Sequence, residues 1–401
     1  MPVKKTTITL AIETSCDDTG IALLKATELK SETKFEVLAN EISSQIELHQ
    51  QYGGVFPAMA KRAHAQNITP LFILGLKNSN LLKPRKNTKK PALDQKTITK
   101  LTKLLERESE MCTALLEFVQ KYELPKIDKL VVTSGPGLEP TLWVGINFAK
   151  ALGLLLDMPV IPTNHMEGHL LSVAIPEAST FSISSESFHF PMLALLVSGG
   201  HTELVLAKDI GKYTVIGQTR DDAAGEAFDK VARMMDLPYP GGPEISRLAH
   251  EARTTLAFSE FSLPRPMLHS PDFDFSFSGL KTAVLYTIRD IGGVLSESRK
   301  KDLSREFEDA VVEVLVTKTL KAAQKFKVHQ IVVGGGVAAN QLLRQELLRR
   351  AKDFDKTIEV YFPTPKLSRD NALMIALAGY LKSKRVKKIP QRFVAEGNLS
   401  L

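Results

Sequence analysis

The chain repeats itself, and that repeat limits its fold more than any other feature. Laying VIPTNHMEGH (Val160 to His169) over YFPTPKLSRD (Tyr361 to Asp370) without a gap gives an offset of 201 residues, matches Pro162-Thr163 to Pro363-Thr364 and sets His169 opposite Asp370. The same offset carries Leu130-Val131-Val132 and its TSGPG turn onto Ile331-Val332-Val333 and GGGVA. An ungapped pairing of Leu10–Leu24 with Leu193–Ala207 keeps Leu10/Leu193, Ala11/Ala194, Ser15/Ser198, Thr19/Thr202 and Leu23/Leu206. Landmarks in one order imply an internal duplication. Each α/β half opens with a β-turn-β unit and continues through strand, glycine turn and helix, and a central cleft is expected where the turns of the two halves meet.

A length of 401 residues suits two domains. The expected division is a first lobe over 1–177 with a basic insertion at about 78–104, a linker over 178–190, and a second lobe over 191–401 with an insertion at about 212–285. The serine-rich Ser179–Ser187 reads as a mobile connection between them. No apolar run is long enough for a membrane span. Cys16 and Cys112 are too few for a disulfide framework and fit a reducing compartment. A net charge of +7 favours an anionic partner and permits nucleic acid. The first strand, Thr7–Ile12, starts so early that a signal or transit segment is expected to be absent from this chain.

In each copy of the 201-residue repeat an apolar run ending in Pro-Thr reads as a strand, and the apolar segment beyond it (LLSVAI; ALMIALAGY) as a helix. His165 and His169, at i and i+4, then share a helical face, and Asp370 opens the equivalent helix. Singly, each has a plainer reading: a packed or solvated histidine, a first-turn charge. Taken together, two imidazoles and one carboxylate converging across the pseudo-twofold between the halves form a site for one divalent metal, zinc or iron.

Other stretches are less decisive. In DDAAGEAFDKVARMMDLPYPGGP, Ala224, Phe228, Val231 and Met235 recur at helical spacing as a buried stripe, with Glu226 and Asp229 nearer the polar side. FSFSGLK (Phe275–Lys281) reads as a strand or turn presenting hydroxyls and a lysine to the cleft. The basic runs Lys83–Lys90 and Lys382–Lys388 read as solvated surface or as contacts for nucleic acid.

With ETSCDDTG, TSGPGL, NHMEGH, LVSGGHTEL, DDAAGEAFDK, PGGP, FSFSGLK, GGGVAAN and SRDNA in order from about Thr7 to Tyr380, the chain resembles the TsaD-type tRNA threonylcarbamoyltransferases. It is most similar to the mitochondrial branch in its basic balance and long insertions. The resemblance implies a duplicated actin-like ATPase fold, as in sugar kinases and heat-shock chaperones. It also implies transfer of threonylcarbamoyl from threonylcarbamoyl-AMP, supplied by a separate synthase, to N6 of the adenosine at position 37 in tRNAs reading ANN codons. By the same resemblance Leu196, Val197, Ser198, Gly199 and Gly200 line the phosphate side, and the adenylate lies over Gly334-Gly335-Gly336 near Asn340. Asp229 meets the ribose, Gly242 and Ser246 close the pocket, and Asp17 is the candidate catalytic base, with Asp18 as its alternative. His165, His169 and Asp370 would hold the metal. A homodimer engaging Val55–Leu74 and a location in the mitochondrial matrix are expected, the cytoplasm being the alternative.

Two other activities compete. HMEGH superficially suits a zinc endopeptidase, but the base of such enzymes directly follows the first histidine, where Met166 stands here. Glu167 comes one place later, roughly 200° around the helix from His165, and should point away from the metal. An actin-like ATPase or kinase has no ordinary use for a His-His-Asp set.

Overall fold

The computed structural model describes residues 5–86, 92–255, 258–386, 388–390 and 392–401. The chain divides into two compact units: Met1–Gln45, Val55–Ser187 and Asp370–Leu401 form the first, Ile46–Gly54 and Phe188–Arg369 the second.

The first unit is built on β1 (Thr6–Glu13), β2 (Asp18–Glu28), β3 (Glu32–Ser44), β4 (Lys129–Gly135), β5 (Val160–Asn164) and β6 (Thr180–Ser184), in the order β5-β4-β1-β2-β3-β6. After a short helix assigned to the other unit, α1 (Ile46–Gln50), it adds α2 (Pro57–Asn78), α3 (Gln95–Leu104), α4 (Ser109–Lys121), α5 (Glu139–Leu156) and α6 (His165–Leu171). The second unit carries β7 (Met192–Val197), β8 (Thr202–Asp209), β9 (Lys212–Gln218), β10 (Gln330–Gly334) and β11 (Glu359–Tyr361), in the order β11-β10-β7-β8-β9. Its larger helices are α7 (Ala224–Met234), α8 (Gly241–Thr255), α9 (Ser278–Asp290), α10 (Glu297–Phe326) and α11 (Gln341–Phe354). The last helix, α12 (Ala372–Arg385), belongs to the first unit.

The duplication is visible in the pairing. β1-β2-β3 and β7-β8-β9 are antiparallel, while β4 and β10 run parallel to β1 and β7. Leu10 faces Leu130 in one sheet and Leu193 faces Ile331 in the other, the very residues the repeat equates. This is the duplicated actin-like core.

Three expectations change. The Ser179–Ser187 stretch is no free connection: Phe181 and Ile183 alternate with polar residues, Phe181 stacks on Phe35 at 5.1 Å, and β6 pairs with β3 as the edge strand of the sheet. The linker placed at 178–190 thus contains a sheet strand. An insertion beginning at 212 would remove β9, the third strand of its sheet, so the inserted part follows Gln218. Finally, the 201-residue offset slips at the last strand, because Leu130 pairs with Val160 but Ile331 pairs with Val360 rather than Tyr361. A shift of one residue exchanges the two faces of a strand, so the superposition of His169 on Asp370 does not follow from sheet geometry.

What places Asp370 is α12. Leu10 and Ile12 of β1 and Leu130 and Val132 of β4 face a core containing Phe72, Phe118 and Phe148 of α2, α4 and α5. The period of two turns Ala11, Glu13, Val131 and Thr133 to the opposite face, and α12 packs against this sheet and against α6. The approach is close. A Cβ on Gly379 would stand 2.3 Å from Val131, one on Gly168 2.8 Å from Ile375, and one on Gly20 2.9 Å from the Ala372 nitrogen. Asp370 therefore comes to the two histidines within one unit, and not across two halves.

Candidate active site

α6 begins at His165 because Asn164 caps it, its side-chain oxygen accepting the Met166 and Glu167 N–H groups at 2.8 and 3.2 Å. His165 and His169 then lie one turn apart, ring centroids 4.6 Å from each other and edge to face. Asp370 is not the cap of α12. That role belongs to Asn371, which accepts the Met374 N–H at 3.0 Å. The carboxylate is instead turned to the imidazoles, Oδ1 standing 3.3 Å from His165 Nε2 and 3.1 Å from His169 Nε2.

The donor atoms of His165, His169 and Asp370 all lie within 4.8 Å of one another. Nitrogen and oxygen ligands at about 2.0–2.2 Å from one ion sit roughly 3.0–3.6 Å apart, which the two histidine–Asp370 distances match, so the residues fit a divalent metal. Both histidines are buried while the Asp370 side chain is 21% exposed. Burial opposes charge on His165, but Asp370 and Glu13 on either side raise it to about 10. Burial would likewise raise Asp370, and His165 with His169 more than offset it, holding the carboxyl well below its usual range. Burial lowers His169.

Sequence reasoning missed Glu13. At the end of β1, fully buried, its Oε1 accepts the Ser15 N–H at 2.6 Å, and its Oε2 takes the Thr133 hydroxyl at 2.6 Å and lies 3.0 Å from His165 Nδ1. The available signal was a lone carboxylate closing the otherwise apolar run LAIE. His64 of α2 was missed too. Its Nδ1 is 2.7 Å from Thr19 Oγ1 and its Nε2 2.9 Å from the Cys16 carbonyl. A carbonyl only accepts, so Nε2 carries the proton and Nδ1 accepts from Thr19. His64 thereby fixes the turn holding Asp17, whose own carbonyl accepts the Gln45 N–H. In that turn Ser15 Oγ lies 3.2 Å from His165 Nδ1. Burial and the neighbouring Asp17 push the Cys16 thiol well up, keeping it protonated.

Glu167 stands outside the donor cluster. It lies within electrostatic reach of Lys382, whose ammonium donates to the Pro162 carbonyl at 2.7 Å. This is the direction expected for a glutamate that is not a peptidase base.

The residues expected to hold nucleotide all fall in the second unit. Leu196 and Val197 end β7, buried, and Ser198-Gly199-Gly200 make the following turn, where a Cβ on either glycine would meet none of the described residues within 4 Å. Ser198 O accepts the Gly225 N–H at the start of α7. Gly335, at φ +92°, passes so close to β7 that a Cβ would lie 2.3 Å from Val197 O, which joins the two glycine turns. Asp229 Oδ1 accepts the Gly241 N–H where α8 begins, and Gly242 is next in chain. Asn340 caps α11 through Leu343 N–H, and its Nδ2 donates to Ser246 Oγ at 3.0 Å and to Glu308 at 2.7 Å. Glu308, not anticipated, also binds Ser246 and Arg253.

The FSFSGLK hydroxyls are not presented to a ligand. Asp221 accepts from Ser276 Oγ, Ser278 Oγ and the N–H groups of Phe277 and Ser278, and Lys281 pairs with Asp222 at 2.8 Å. The two motifs hold each other. Of the first basic run, Lys83 O and Arg85 N bond to Glu123 N and Lys121 O, while residues 87–90 lie outside the described ones.

The family model for tRNA N6-adenosine threonylcarbamoyltransferase, TsaD, matches residues 36–84 and 105–377. The transferase of that name from Acidovorax sp. is 42% identical over 96% of this chain and 93% of its own, and that of Bacillus cereus 38% over 96% and 94%. The Paraburkholderia xenovorans transferase is 42% identical over 94% and 93%. Among solved structures, full-length HypF in its phosphate- and nucleotide-bound form gives a TM-score of 0.52 at 12% identity. It spans 96% of this chain, which in turn spans about half of it at 48%, a likeness of fold alone. By full-length sequence similarity the chain belongs to the tRNA N6-adenosine threonylcarbamoyltransferase family.

Proposed function

We propose that this chain transfers the threonylcarbamoyl group of threonylcarbamoyl-AMP to N6 of adenosine in tRNA, at position 37 of tRNAs that read ANN codons. The match to the family over nearly the whole chain carries this reading. N6 attacks the carbamoyl carbon, the new C–N bond forms, the C–O bond to phosphate breaks and AMP leaves. The proton lost from N6 passes to a carboxylate, the part given to Asp17 beside Ser15 and Cys16. The second unit's work is to hold the adenylate, with Ser198, Gly199, Gly200 and Gly335 leaving backbone open to phosphate and base, and Asp229, Gly242, Ser246 and Asn340 beside them. A divalent metal on His165, His169 and Asp370, zinc or ferrous iron, would supply a Lewis acid for an oxygen of the acyl donor.

The acyl donor comes from a separate synthase, and the working form is a homodimer. Phe56 and Leu74, 53% and 41% exposed at α2, support that assembly, which light scattering at micromolar concentration tests. The basic balance favours the mitochondrial matrix, which cell fractionation checks. For the activity itself, the purified chain is incubated with unmodified tRNA and threonylcarbamoyl-AMP, and the nucleosides are analysed by mass spectrometry. Threonylcarbamoyladenosine is expected, and its absence with a metal-loaded, folded protein would refute the reading.

A further inference from the structure

We infer that Glu13 is the positioning residue of the metal centre, setting the tautomer and ring angle of His165 so that Nε2 presents a lone pair beside Asp370 and His169. This rests on reading those three residues as metal ligands, and it assigns work to a fourth.

Glu13 sits at the buried end of β1 on the sheet face that α12 covers, beside Thr133 of β4. Its carboxylate meets the Ser15 N–H, the Thr133 hydroxyl and His165 Nδ1, at 2.6, 2.6 and 3.0 Å. An ionised carboxylate only accepts, so Nδ1 must carry the proton. Nε2, 3.3 Å from Asp370 Oδ1, is then the nitrogen left to take an ion in place of a proton. A carboxylate behind a ligating histidine fixes its orientation and raises its basicity. His169 has no such support among the described residues, where its buried Nδ1 finds no hydrogen-bond partner, so the centre is oriented from the His165 side. A solvated charge cannot explain a fully buried carboxylate, and a plain strand-end cap would use only the Ser15 N–H. The second oxygen is aimed at His165 and held there by Thr133.

Glu13→Gln tests this closely. With its amide oxygen on the Ser15 N–H, the amide nitrogen would face His165 Nδ1 and favour the Nε2–H tautomer, which cannot bind a metal through Nε2. With the amide reversed, two N–H groups would oppose each other at Ser15. The full chain, stripped with chelator, is titrated with Zn²⁺ by calorimetry and with Co²⁺ by visible absorption, alongside Asp370→Ala. Glu13→Gln is expected to bind Zn²⁺ about 10–100-fold more weakly than wild type, with an altered Co²⁺ ligand-field spectrum. Thr133→Val, which keeps shape and removes one donor, should shift both readouts in the same direction by less, and it decides the question if Glu13→Gln fails to fold. Wild-type Zn²⁺ affinity and Co²⁺ spectrum in a folded Glu13→Gln, whatever its melting temperature, would overturn the role of Glu13 alone. Wild type that binds no more Zn²⁺ than Asp370→Ala would overturn the metal centre with it. Neither readout uses tRNA, so loss of this inference is separable from loss of the proposed activity.

Discussion

At the scale of residues, two carboxylates near α6 make opposite predictions. Asp370 turns its oxygen to both imidazoles, whereas Glu167, two positions past His165, lies in the field of Lys382. Asp370→Ala should lose most bound metal and most transfer activity, read by elemental analysis and by nucleoside mass spectrometry, while far-UV circular dichroism stays native because the sheet core does not involve it. Glu167→Gln should leave turnover unchanged and show at most a lower melting temperature. In a zinc peptidase the glutamate change would be the silencing one, so reversed outcomes would restore that reading. The histidine pair was legible in the sequence because i, i+4 spacing is a local signal. Glu13 was not, since its partners Thr133 and His165 come from strands and helices more than a hundred residues away.

The element that matters most is α12, and its place was the least legible part of the fold. The repeated strand order could be read from matching apolar triplets, because a sheet core keeps its period under duplication. A helix whose residues Ala372–Tyr380 are all buried offers no polar face, so nothing local says which sheet it covers. Its glycine does. Because a Cβ on Gly379 would press into Val131 at 2.3 Å, Gly379→Ala should cost about 1–3 kcal/mol as overpacking. The displaced helix should also carry Asp370 away from the histidines, weakening Zn²⁺ binding from nine residues' distance. Thermal melting and zinc titration on one sample check both effects. Gly199→Ala, whose added methyl meets none of the described residues within 4 Å, is the control and should melt as wild type.

For the whole molecule the question is which of its positive charges are available to a polyanion. A net charge of +7 says little, because many cations are already engaged. Lys382 is half-buried, its pKa lowered by desolvation, with its ammonium on the Pro162 carbonyl, and Lys384 pairs with Glu28. The second basic run therefore contributes fewer free charges than its composition suggests. In the first run Lys83 and Lys86 are exposed on a segment whose backbone is tied to residues 121–123. Such a segment holds its charges in place, and lysines that neutralise phosphates release counterions, giving a slope of log affinity against log salt of about 0.7–0.9 per contact. Changing Lys83 and Lys86 together to serine should therefore weaken tRNA binding and flatten the slope by about 1.4–1.8, measured by filter binding between low and moderate salt. Lys382→Met should lower the melting temperature and leave the slope alone, because that ammonium is spent on its own chain. If the slopes respond the other way round, tRNA approaches along α12 and the 83–86 segment is only solvated surface.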